Sequence, residues 1–213
     1  MVARSDTVLY VKSHRKWYVA ALALSMLTFI LAAIEVHGHG IAGWERHVIL
    51  DFNEWPNQWR MTAVILSAIG GSAWAAIISV ALSYLFKLYR LCWRLAVSFI
   101  VAVILGYVVK HAVNQPEVFH RIGGLHFRVA TSSLAFPAGA MTIATVIVLS
   151  LLPYVPRFWR VLLLLWVIII GICRLYLGVQ TPLDLIGGLA LGVMLVSTIR
   201  VMPQSVRVLM RLD

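Results

Sequence analysis

Three polar stations interrupt an otherwise apolar chain, and each offers a group suited to an anion. The stretch CRLYLGVQTPLD, residues 173–184, sets Arg174, Gln180 and Asp184 inside or beside a hydrophobic run. Ionisable groups are costly there and usually face a partner, a cavity or a substrate. Arg174 presents a planar fork of donors that matches phosphate or carboxylate, and Gln180 and Asp184 follow at intervals that can bring them back near it. Lys110 closes a second apolar run, and Pro137-Ala138-Gly139-Ala140 opens a third. A helix starting there exposes unpaired N–H groups and the positive end of its dipole, and small residues such as Gly139 let an anion come close. Together these groups could hold a phosphate. The plainer alternative is that Arg174 and Asp184 pair at a helix end, Lys110 snorkels to the interface and Pro137 only begins a helix.

Other chemistries find less footing. His37 and His39 are too close for a helical ligand pair, and His111, His120 and His126 have no accompanying Cys and no carboxylate cluster beyond Glu117, so no metal site is expected. Cys92 and Cys173 fall near opposite ends of the apolar runs, too far apart for a disulfide. The chain has no Walker A loop and no dinucleotide fingerprint, and no cofactor is implied.

The elements that must position these groups are membrane helices. With 62% hydrophobic and 12% charged residues over 213 positions, the chain has more apolar surface than a soluble globule of this size can bury. The net charge of +10 has no soluble basic domain to carry it, which argues for membrane topology and against a nucleic-acid partner. A basic leader at 1–16 precedes an apolar run at 17–34; 35–60 reads as a loop with an amphipathic segment lying in the interface. Further spans are expected at 61–86, 95–109, 138–152, 161–177 and 183–199, giving one membrane domain at 17–202 and a basic tail at 203–213. Gly70, Gly71, Gly188 and Gly192 supply small residues where helices can approach closely.

The sequence therefore reads as an all-α, polytopic protein with six transmembrane helices. The leader, the turns at 87–94 and 157–160, and the tail together with Arg200 hold 12 of the 18 Lys and Arg but only two of the eight acids. By the positive-inside rule both termini are cytoplasmic, and the connection at 110–137 meets the 174–184 stretch at the outer face. The expected setting is a bacterial inner membrane, with the anion site toward the periplasm or exterior.

The order and spacing of the three stations resemble the type 2 phosphatidate phosphatase and acid haloperoxidase superfamily, whose membrane members are six-helix lipid phosphate phosphatases. That family carries K-x6-R-P, then P-S-G-H, then S-R-x5-H-x3-D. Here Lys110 matches the first lysine, but Glu117-Val118 stands for Arg-Pro. The second motif has Ala138 for serine and Ala140 for histidine. In the third, Cys173 replaces serine, Arg174 matches, Gln180 replaces histidine and Asp184 falls at the expected place. The resemblance implies Lys110, Gly139, Arg174 and Gln180 as phosphate-binding groups, with Asp184 in support and no metal or other cofactor.

The departures carry the functional expectation. In the family the third-motif histidine attacks phosphorus, the aspartate orients it, and the second-motif histidine protonates the leaving group. An amide at Gln180 is neither a useful nucleophile nor titratable, and Ala140 has no proton to give. The expectation is a pseudoenzyme that binds a lipid phosphate or pyrophosphate headgroup at the outer interface without hydrolysing it. An active phosphatase or phosphotransferase using a relocated His111, His120 or His126 is the first alternative. A structural subunit that packs against partner membrane proteins is the second.

Overall fold

The computed structural model describes residues 3–39, 41–116, 118, 122–129 and 134–202. Every regular element among them is helical: α1 (Ala3–His39), α2 (Gly43–Asn53), α3 (Arg60–Gly71), α4 (Ala73–Leu85), α5 (Tyr89–Val113), α6 (Gly139–Leu151), α7 (Arg157–Tyr176) and α8 (Pro182–Val201). Four stretches are long and apolar enough to cross a bilayer: Arg15–Gly38 within α1, and all of α5, α7 and α8. The protein is an integral membrane protein.

The other two expected spans take different forms. The second is broken at Gly71 and Ser72, where α3 and α4 meet at 49°. Ser72 is extended, with φ −94° and ψ 161°, and its hydroxyl oxygen accepts the Ala75 N–H at 3.2 Å, so a new helix is capped where the old one stops. The fourth, α6, has 13 residues. At 1.5 Å per residue it reaches roughly 20 Å against a hydrocarbon core of about 30 Å.

Boundaries also move. α1 continues back through the basic leader to Ala3, and α5 begins at Tyr89, so Arg90 and Arg94 lie in a helix and not in a turn. Long basic side chains can reach the interface from a helix end, so their charge need not stop the helix. The 35–60 connection, expected to lie in the interface, holds α2, which packs into the fold. Its buried Glu45, Ile49 and Asn53 recur at fourfold spacing and turn one face toward α7 and α8. Glu117, His120 and the tail at 203–213 lie outside the described residues.

α8 is the central helix: 67% of its most apolar stretch is buried, against 17% for α1. Its glycines explain why. Gly187 lies under the Phe136 ring, Gly188 against the Ala138 carbonyl, and a Cβ at Gly192 would meet the Thr145 Cβ at 2.7 Å. Thr142 Oγ1 donates to the Gly188 carbonyl at 3.0 Å across the same seam. Gly70 is likewise covered by Trp166 and Ile170, and Gly71 by Ala140. The small-residue faces are filled within the chain, so they provide no argument for a docked partner protein.

Candidate functional site

The end of α7 explains how Arg174 and Gln180 meet across five intervening residues. Gly178 sits at φ +71°, a left-handed conformation that favours glycine. Its N–H donates to the Leu175 carbonyl at 2.9 Å, and the Val179 N–H donates to the Arg174 carbonyl at 3.3 Å. This pair of bonds is a Schellman turn, which reverses the chain on the last turn of the helix. Gln180 is thereby returned to Arg174, whose Nε donates to Gln180 Oε1 at 3.1 Å. The two terminal nitrogens of Arg174 and the amide nitrogen of Gln180 have no protein partner among the described residues.

Asp184 caps the start of α8. Its Oδ2 accepts the Thr181 N–H at 2.8 Å while Thr181 Oγ1 accepts the Asp184 N–H at 3.2 Å, a reciprocal cap with Pro182 in the first turn of α8. The carboxylate is fully buried in that cap, and Arg174, its partner in the plainer alternative, binds Gln180. Glu45 of α2 reinforces the same helix start, its Oε1 accepting the Leu183 N–H at 3.1 Å.

The remaining stations converge on this corner. Asn114 ends α5 in the left-handed region, and Lys110, one turn earlier, donates from Nζ to the Leu134 carbonyl at 2.7 Å. The Ala138 N–H donates to the Asp184 carbonyl at 3.0 Å, which fixes the start of α6 on the first turn of α8. The result is a cavity of about 430 Å³ lined by Lys110, Gly139, Ala140, Arg174 and Gln180. Ser67, Gly71 and Ser72 close its far side at the α3–α4 break. Ala138 is fully buried beside Gly188 and does not line the cavity.

The described histidines of this region stand apart from it, and His111 lies in the last turn of α5 rather than in a loop. His111 is exposed, donates from Nδ1 to the Tyr107 carbonyl at 2.9 Å and lies against the Tyr107 ring. His126 lines a separate polar recess with Glu54, Asn57, Arg60 and Arg128. No group of three or more His, Cys, Asp or Glu side chains among the described residues is placed to hold a metal ion.

Two residues that scaffold the site carried no signal in the sequence. Arg128 is buried, donating to the carbonyls of Tyr176 at 2.9 Å, Asn53 at 2.8 Å and Trp55 at 3.0 Å, with its guanidinium over the Tyr176 ring. Asn53 donates to the carbonyls of His126 and Tyr176 and accepts the His126 N–H at 2.7 Å. Together they clamp the loop around 126–128 to the end of α7. On sequence grounds a lone arginine in a polar loop reads as a solvated charge.

The comparisons with known proteins agree with this architecture. The fold matches the crystal structure of a transmembrane PAP2-type phosphatidylglycerolphosphate phosphatase from Bacillus subtilis with a TM-score of 0.70 at 20% identity, over 84% of this chain and 93% of that one. It matches Aquifex aeolicus LpxE with a TM-score of 0.65 at 19% identity, over 72% of this chain and 92% of that one. Among curated proteins, an undecaprenyl-diphosphatase from Sulfolobus acidocaldarius is 28% identical over 99 residues, 46% of this chain and 48% of its own length. The match thus spans about half of that relative. A family model, the PAP2 superfamily, covers residues 91–207 and so takes in Lys110, the start of α6, Arg174, Gln180 and Asp184. With its cavity built at these positions, the chain belongs to the PAP2 superfamily.

Proposed function

We propose that this protein binds the phosphate or diphosphate headgroup of a membrane lipid in the Arg174 cavity and lacks the histidine-dependent hydrolysis of its family. The observation that carries the reading is the bond between Arg174 Nε and Gln180 Oε1. At the position of the family nucleophile, Gln180 holds the arginine still and leaves N–H donors of both side chains for an anion. The Lys110 ammonium and the N-terminus of α6 add positive potential on the same cavity. Ala140, in place of the proton-donating histidine, contributes a methyl group. A relocated base draws no support from His111 or His126, neither of which lines the cavity.

The same reading includes six membrane crossings, with α3–α4 as one broken span and α6 as a short one. α5 and α7 end at the cavity while α6 and α8 begin there, as alternating spans require. The excess of Lys and Arg at the opposite ends favours cytoplasmic termini, a cavity toward the periplasm or exterior, and residence in a bacterial inner membrane.

Replacing Arg174 with alanine tests this directly. Loss of its charge-assisted donors should weaken binding of a polyprenyl phosphate by roughly 100-fold in lipid nanodiscs. Unchanged affinity would remove the proposal.

A further inference from the structure

We infer that the cavity contains a second anion cradle at the α3–α4 break, and that the headgroup it takes is a diphosphate; the inference rests on the headgroup reading above. α4 and α6 each have 13 residues, and both begin at the cavity wall. Gly71 brings the two starts together, since a Cβ there would meet the Ala140 Cβ at 2.7 Å. A helix start leaves its first N–H groups without intrahelical acceptors, free to serve a ligand. At the start of α4 the Ala75 N–H is taken by Ser72 Oγ and the Ala76 N–H by the Ser72 carbonyl, which leaves the amides of Ala73 and Trp74.

A side chain beside this break independently points to a ligand. Ser67 is only 6% exposed, lines the cavity and has no hydrogen-bond partner among the described residues. This is unusual for a serine in an apolar helix: Ser79 and Ser83 of α4 each donate to the carbonyl four residues earlier at 2.7 Å. The Ser67 hydroxyl opens onto the cavity with its proton uncommitted, so it can donate to an anion there. The Ser72 hydroxyl accepts from Ala75 and retains a proton to donate toward the same point.

The two cradles differ in charge as the two phosphates of a lipid diphosphate do. Lys110, Arg174 and the α6 start are cationic and suit the terminal phosphate, which carries the larger charge. Ser67, Ser72 and the α4 start offer neutral donors and suit the inner phosphate, which is esterified to the lipid. Ala73 and Trp74, beside the break, are exposed on the apolar face from which a lipid tail would enter.

The test compares a polyprenyl monophosphate and the diphosphate of the same chain, bound to the full-length protein in nanodiscs. Wild type should bind the diphosphate at least about tenfold more tightly, and Arg174→Ala should weaken both. Ser67→Ala should weaken diphosphate binding several-fold more than monophosphate binding, and Ser67→Asp should widen that difference by repulsion. Equal, Arg174-dependent affinity for the two lipids, or a preference unmoved by both Ser67 variants, overturns the second cradle alone. Binding of neither lipid by wild type overturns the headgroup reading with it.

Discussion

Gln180 determines what the site can do, because its amide can orient an arginine but cannot attack phosphorus. Gln180→Ala should release the Arg174 side chain and weaken lipid-phosphate binding by about tenfold, the scale of one charge-assisted hydrogen bond, with the fold intact by thermal unfolding. Gln180→His alone should not produce phosphate release above the Arg174→Ala background, since Ala140 still has no proton to donate; clear release from that single variant would show another acid at work. Arg174 was legible in the sequence because ionisable groups in apolar runs are rare and therefore informative, and Gln180 because it follows at an interval that can return to it. Ser67 was not, since a serine in a membrane helix ordinarily bonds to its own backbone, and only the structure shows that this one does not. Whether Arg174 pairs with Asp184 was left undecided by the sequence for a related reason. Charge suggests attraction, but the carboxylate at the third position of α8 finds backbone donors closer at hand.

Among the elements, the seam between α6 and α8 holds the cavity in shape. Gly188→Val would drive a branched side chain into the Ala138 carbonyl and to within contact of the Met141 Cβ, at the first turn of α6. Overpacking of this kind costs about 1–3 kcal/mol, so a lower midpoint of thermal unfolding in detergent is expected, with a parallel loss of headgroup affinity as the α6 start shifts. A midpoint equal to wild type would show that α6 and α8 are less closely packed than described. Helix positions were legible from apolar run lengths, but the break in the second span was not. Gly70, Gly71 and Ser72 read equally as a packing face, and the choice depends on Ala140, Trp166 and Ile170, which are distant in sequence. The shortness of α6 was visible in the run from 138 to 152, although its consequence, a helix start deep at the cavity, required the structure.

For the whole molecule, composition identified a membrane protein, since 62% hydrophobic residues cannot be hidden in a soluble fold of this size, and the lengths of the apolar runs made it helical. Three degenerate motifs in order identified the family, because each lies where a helix ends or begins and such junctions are what the fold brings together. The α2 docking and the Arg128 clamp stayed hidden, as both depend on backbone N–H and carbonyl groups that any sequence possesses. The central claim is that this fold retains the anion cavity without the chemistry. The most direct measurement is phosphate release from polyprenyl mono- and diphosphates by the purified protein, read beside binding of the same lipids, with Arg174→Ala in parallel. The account predicts binding that depends on Arg174 with release no greater than in that variant. Release by wild type that disappears in Arg174→Ala would contradict it.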